Sequence, residues 1–263
     1  VKAACHTAAR YFLLNNRGAI APGYLGDFVI IDNFNDFNIE MVFKRGELMY
    51  DGQLRDFPTP EIDPYLVKRA HDTFHLTKLT AEDFKDGRPH AIIGLVPGEI
   101  ISEDAGYIDH IDVEYDILKV AVIERHKNTH HIGLGYIKGY GLKSGAVATS
   151  ISHDSHNIIV VGTNEEEMAA AANRIVENHG GITVMENGNV LGEVTLAIAG
   201  IMSDDPLVMV NSALESAKDE AFRLGVSRDI DPFMTLSFMA LPVIPTLRIT
   251  TRGVFDVNTQ RYI

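Results

Sequence analysis

Residues 141–162 read GLKSGAVATSISHDSHNIIVVG: two apolar runs, AVATSI and NIIVVG, flank six polar residues, Ser152-His153-Asp154-Ser155-His156-Asn157. Val- and Ile-rich runs bounded by glycine predict buried strands. A polar hexad between two such strands predicts a loop or strand end that carries chemistry rather than packing. The plainer reading stands beside it, because Ser, Asp and Asn also form ordinary turns by bonding to nearby backbone.

Outward from this stretch, strands and helices interleave. On the C-terminal side, Asn164 and Glu167 have capping-box spacing, and EEMAAAANRIVENH predicts a helix ending before Gly180-Gly181. GITVMENGNVLGEVTL predicts a hairpin turning at Asn187-Gly188. A second helix is expected after Asp205-Pro206, with Leu207, Val210, Leu214, Ala217, Ala221 and Leu224 as its apolar stripe and Gly225 at its end. DPFMTLSFMALPVIPTLRITTRG predicts a short helix followed by extended chain. On the N-terminal side, HAIIGLVPGEII and YDILKVAVIERH are apolar throughout, as strands covered on both faces are.

Before residue 90 the character changes. Val1, Ala4, Cys5, Ala8 and Phe12 recur at helical spacing, with a stop expected at Asn15-Asn16 and Gly18. A helix already running at Val1 without a cap suggests a sequence that begins inside a longer protein. Phe28 to Ile31 predicts a strand, and MVFKRGELMYDG a hairpin about Arg45-Gly46. DFPTPEIDP, residues 56–64, reads as a linker. A helix follows from Pro64, then a short polar element around residues 80–84. The fold class expected is mixed α/β.

Composition narrows the function. A net charge of −13 argues against nucleic-acid or membrane-surface partners, which need clustered Lys and Arg. The single Cys5 excludes an internal disulfide and suits a reducing cytoplasm. No apolar run reaches the roughly 18–20 residues that span a bilayer. Phosphate-binding loops and the G-x-S-x-G elbow are absent from the sequence.

His153 and His156, with Asp154 between them, carry donor atoms suited to proton transfer or to a divalent metal. The exposed-looking pair His130-His131 reads instead as a solvated loop. Glu99 and Arg125 stand at the ends of apolar strands, where charges line clefts or simply meet water. Arg125 is a candidate substrate or interdomain contact. Met234, Phe238, Met239 and Leu241 read as core.

Four stretches together resemble the C-terminal part of bacterial-type adenine deaminases, members of the amidohydrolase superfamily: 144–162, VPGEII (96–101), VIERH (122–126) and MTLSFMALPVIPTLRITTRGVFDV (234–257). RGAIAPGYLGDFVIID (17–32) is similar to the segment where amidohydrolases leave the barrel and re-enter their small β-sandwich, with Gly26 replacing the usual Ala.

The resemblance implies hydrolysis of adenine to hypoxanthine and ammonia in purine salvage. It also implies two ions, Mn2+ or Fe2+, at the mouth of a (β/α)8 barrel whose ligands lie upstream of Val1. On this reading residues 1–16 are the last helix of that TIM-like barrel, 17–55 closing strands of a small β-sandwich, 56–64 a linker and 65–263 the C-terminal α/β domain. His153, Asp154 and His156 would assist catalysis, and Ser152, Asn157, Arg125 and Glu99 would contact substrate, with no metal ligand in this chain. The partners implied are adenine, the barrel segment and further copies in a homo-oligomer. Two other readings stay open: a non-catalytic α/β module for oligomerisation or purine sensing, and an amidohydrolase acting on another heterocycle.

Overall fold

The computed structural model describes residues 1–56 and 60–263, in two compact units, Val1–Ile62 and Asp63–Ile263. Residues 57–59, inside the expected linker, lie outside the described residues.

In the first unit a π-helical turn, Ala3–Thr7, runs into α1 (Ala8–Tyr11). The helix stops earlier than the sequence suggests. Leu13 takes the left-handed conformation (φ 57), and Leu13 N–H and Leu14 N–H bond the carbonyls of Arg10 and Ala9 at 3.2 and 2.8 Å. That is a Schellman closure, formed here without glycine. Gly18, expected at the stop, serves a close approach instead: a Cβ there would lie 2.6 Å from that of Ala9. Strands β1 (Phe28–Ile31), β2 (Ile39–Lys44) and β3 (Glu47–Tyr50) form an antiparallel sheet in chain order. The β2–β3 turn is at Arg45-Gly46, both with positive φ, as a tight hairpin requires.

The second unit opens with α2 (Pro64–His71), capped by the Asp63 carboxylate accepting from Tyr65 N at 2.9 Å. A 3-10 turn, Ala81–Phe84, follows behind a Thr80–Asp83 capping box. An eight-stranded sheet then forms from β4 (His90–Leu95), β5 (Ser102–Ile108), β6 (Ile117–Ile123), β7 (Ile132–Lys138), β8 (Ala146–Thr149), β9 (Ile158–Gly162), β10 (Gly181–Glu186) and β11 (Asn189–Thr195). Its order is β11-β10-β8-β9-β6-β7-β4-β5. Only β4 and β7 pair in parallel; the other neighbours are antiparallel.

β5 and β7 are the strands that the apolar pattern does not reveal. β5 is a largely exposed edge, SEDAGYI, and β7, IGLGYIK, is diluted by two glycines. Those glycines admit a second layer. A Cβ at Gly133 would stand 1.8 Å from the carbonyl oxygen of Thr250, and one at Gly135 would stand 2.7 Å from Val254. The layer is a small sheet of β12 (Leu247–Thr250), β13 (Gly253–Asp256) and β14 (Arg261–Tyr262).

The central strands are covered on both faces, as their continuous apolar runs predict. Leu118, Val120 and Val122 of β6 join a core with α4 (Leu207–Arg223), α5 (Pro232–Met239) and the small sheet. Ala121 and Ile123 face the other way, toward α3 (Glu165–Glu177) and Phe84. Burying one such Ile or Val contributes about 1.5–3 kcal/mol.

Three expectations about the helices change. The Asn164 side chain caps α3 by accepting from Glu167 N at 2.8 Å, but Glu167 turns its carboxylate to Gly188 N rather than back to the cap. In α4, Ala217 and Ala221 are fully buried, whereas Leu207 at the head of the expected stripe is 82% exposed. Met234 of the expected core run is likewise exposed on α5, while Met239 is buried. None of the helices among the described residues is long and apolar enough to cross a membrane.

Candidate functional site

The hexad is the connection between β8 and β9, which pair as an antiparallel hairpin with Thr149 opposite Ile159. Its stem is fixed from several sides. Ser150, fully buried, donates its hydroxyl to Gly200 O at 2.6 Å and accepts from Gly181 N at 2.7 Å. At the far end Asn157, 8% exposed, accepts from the backbone N–H of Arg125 at 3.4 Å. Between these ends the chain leaves the sheet. Ser152 is buried, His153 and His156 are partly buried, and Asp154 and Ser155 are exposed.

Two main-chain bonds set the loop's shape. His156 N bonds Ser152 O at 2.6 Å, closing the loop on itself, and His153 N bonds Ser237 O of α5 at 3.2 Å. The His153 ring lies 5.1 Å from that of Phe238 and 6.4 Å from that of His156, between centroids. From the neighbouring loop, His126 Nε2 meets Ser155 O at 2.8 Å.

Six buried side-chain N or O atoms have no hydrogen-bond partner among the described residues: Ser152 Oγ, His156 Nδ1, Ser237 Oγ, Glu167 Oε2, Thr183 Oγ1 and Arg248 Nε. The first three belong to the hexad or to the helix behind it. Buried polar atoms are nearly always paired, and leaving one unpaired costs about 1–3 kcal/mol. Three in one small region mark a place that folding alone does not optimise.

Burial, the neighbouring His153 and the Arg125 guanidinium together push the proton affinity of His156 below its ordinary value. At neutral pH this ring is a neutral imidazole. Its single proton leaves one nitrogen free to accept, and Nδ1 has no partner among the described residues.

Arg125 lies beneath the loop, 1% exposed. Its Nε, NH1 and NH2 groups donate to the carbonyls of His156, Thr73 and Ala199 at 2.5, 2.8 and 2.9 Å. Named from the sequence as a substrate or interdomain contact, Arg125 here turns its donors to main-chain oxygens of the chain itself.

Glu99 is also apart from the hexad. It stands exposed in the turn after β4 and lines a cleft of about 210 Å³ with Met234 and Phe238 among its other walls. Phe238 lines this cleft and also lies against the His153 ring. The structure therefore brings Ser152, His153, Asp154, His156, Asn157 and Arg125 together, whereas Glu99 lines the cleft beside Met234 and Phe238.

The Mn2+ or Fe2+ pair implied by the resemblance finds no fitting donor set here: no three His, Cys, Asp or Glu side chains converge to hold an ion among the described residues. Sequence reasoning did not single out Thr73, Phe74, Gly200 or Ser237. Each is remote in sequence from the hexad and carries no local pattern that would pick it out. Phe238 was visible as an apolar residue, but not as the one that bridges loop and cleft.

Comparison with known proteins adds an independent finding. Residues 99–261 match the family model described as the adenine deaminase C-terminal domain, a span that contains every candidate residue named above from Glu99 to Asn157. Among curated proteins, the chain is 39% identical over 273 residues to "Adenine deaminase" of Dehalococcoides mccartyi (strain ATCC BAA-2266 / KCTC 15142 / 195), covering 100% of this chain and 47% of that protein. It is 40% identical over 263 residues to "Adenine deaminase 2" of Carboxydothermus hydrogenoformans (strain ATCC BAA-161 / DSM 6008 / Z-2901), covering 96% and 45%. It is 42% identical over 267 residues to "Adenine deaminase 1" of Rhizobium johnstonii (strain DSM 114642 / LMG 32736 / 3841), covering 98% and 46%. The chain spans about half the length of these relatives.

Proposed function

This chain belongs to the adenine deaminase C-terminal domain family, and from that premise we propose that it is the accessory half of an enzyme that hydrolyses adenine to hypoxanthine and ammonia. The reaction serves purine salvage in the cytoplasm, and the ion-binding barrel lies on a segment outside these 263 residues. The names of the curated relatives support the substrate.

The chain's own contribution is the hexad, and the observation that carries this is the group of unpartnered buried atoms at Ser152, His156 and Ser237. An exposed loop backed by a neutral imidazole is suited to close over a purine edge and exclude water. His156 can accept or return a proton at a ring nitrogen while Asp154, exposed at the tip, stays free to receive an amino N–H. Ser150 and Asn157 fix the loop's two ends, and Ser152 and Asn157 are the substrate contacts this reading requires. Further copies of the chain and the barrel segment are the partners this reading requires.

The test is ammonia release from adenine, with guanine and cytosine as controls. Two samples are compared: the 263-residue chain alone, and a polypeptide joining this chain to the unmatched first part of the Dehalococcoides relative. The joined protein is expected to act on adenine and the lone chain is not. Turnover by the lone chain would overturn the placement of the active centre. A joined protein that folds, carries its ions and leaves adenine untouched would overturn the function.

A further inference from the structure

We infer that Arg125 is a positioning residue: a buried, planar cation that fixes the hexad by reading three carbonyl groups from three separate segments. The inference rests on the hexad being the working part of the chain, and it adds the residue that holds that part in one conformation.

Three remote stretches meet at one guanidinium. It donates to His156 O at the end of the hexad, to Thr73 O and Thr73 Oγ1 in the segment after α2, and to Ala199 O in the turn after β11; the Thr73 Oγ1 distance is 3.2 Å. The backbone of Arg125 joins the same assembly, accepting from His75 N at 2.7 Å. One face of the guanidinium is covered by the Phe74 ring, with Cζ 4.2 Å from its centroid. Gly200 closes the remaining side: φ is +75°, and a Cβ there would sit 2.7 Å from NH2.

The electrostatics distinguish this arrangement from an ordinary buried ion pair. Among the described residues no carboxylate makes an ion-pair contact with Arg125, and burial, opposed by a smaller pull from Glu124, lowers its pKa to about 10. Burying an unpaired charge is costly, and only charge-assisted bonds to several carbonyls offset it. A lysine ammonium cannot replace the fork, because its donors radiate from one nitrogen rather than lying in a plane. A residue that merely filled space here would need neither the charge nor the three directions. The geometry is that of a clamp, and what it grips at one end is the loop.

The test uses Arg125→Lys and, as a milder change that keeps the guanidinium, Phe74→Leu. Hydrogen exchange is followed in the 263-residue chain at the His153 and His156 amides, whose acceptors are Ser237 O and Ser152 O. Both amides are expected to exchange roughly tenfold faster or more in Arg125→Lys, and less so in Phe74→Leu, while β6–β9 ladder amides keep their protection. In the joined enzyme, turnover should fall with KM changing less than kcat, and added methylguanidinium should restore part of it to Arg125→Ala. Unchanged exchange at both amides in a folded Arg125→Lys chain overturns the inference, whatever the activity. Faster exchange with adenine turnover unaltered leaves Arg125 as the loop's clamp and counts instead against the hexad's role in the reaction.

Discussion

Arg125 and Arg248 are both almost completely buried, and their pKa values are both lowered to about 10 by burial. Arg248 bonds Leu247 O, Ile100 O and Pro245 O and so holds the start of the small sheet to the turn before β5. Each arginine thus ties together carbonyls that the sheet does not pair. His156 sits beside the first of them, and its proton affinity has a consequence for stability. Its folded value lies below the ordinary 6.5. Between those two values the unfolded chain binds the extra proton, so the contribution is complete above pH 6.5 and is lost as pH falls through the folded value. Titration by NMR should give His156 a pKa below 6.5, and His156→Asn should flatten the pH dependence of melting in that window. Ser237 makes the opposite kind of case. Its hydroxyl is buried without a partner, so Ser237→Ala should leave the melting temperature unchanged or raise it, with turnover of the joined enzyme as the property at risk. The hexad itself was visible in the sequence because six polar residues interrupt two apolar runs. Arg125 was visible only as a charge at a strand end, and its role depends on carbonyls 31, 52 and 74 residues away.

Among the elements, α3 and the 3-10 turn at 81–84 are joined to the sheet by one side chain. Lys119, on β6, donates to Glu165 Oε1 at 2.6 Å and to Phe84 O at 2.9 Å, with both ends of the ion pair largely buried. Removing one partner strands the other, at a cost of about 3–5 kcal/mol, whereas replacing both with apolar groups of similar size costs far less. Urea unfolding should therefore rank Lys119→Met as more damaging than Lys119→Met combined with Glu165→Leu. Gly133 governs the opposite face. With Thr250 O 1.8 Å from where a Cβ would stand, Gly133→Ala must push β12 and β13 off β7. The expected loss is about 3 kcal/mol or more, with near-UV circular dichroism reporting the displaced packing. These two elements explain the uneven legibility of the fold. Helix α3 is announced by its Asn164 cap and α4 by Pro206 and its apolar spacing, and β6, β8 and β9 by continuous apolar runs. β7 is obscured because its glycines exist to admit another layer, and β5 because an edge strand has no second face to hide.

At the scale of the whole molecule, the matched relatives are about twice as long as this chain, and the function proposed above would have the divalent ions held outside these 263 residues. Metal analysis of the purified 263-residue chain should accordingly find well below one equivalent of manganese or iron, and the joined polypeptide substantially more. A full equivalent on the lone chain would show that a site exists where none was expected. The sheet order carries a separate consequence for how the molecule forms. β6 through β11 are laid side by side by antiparallel pairings, but the β4–β5 hairpin precedes them in sequence and meets them only through the parallel β4–β7 contact. That seam cannot close until β7 is in place, so the first two strands of this sheet in chain order should be the last of it to dock. In pulse-labelled refolding, amides of β4 would acquire protection after those of β6 and β9.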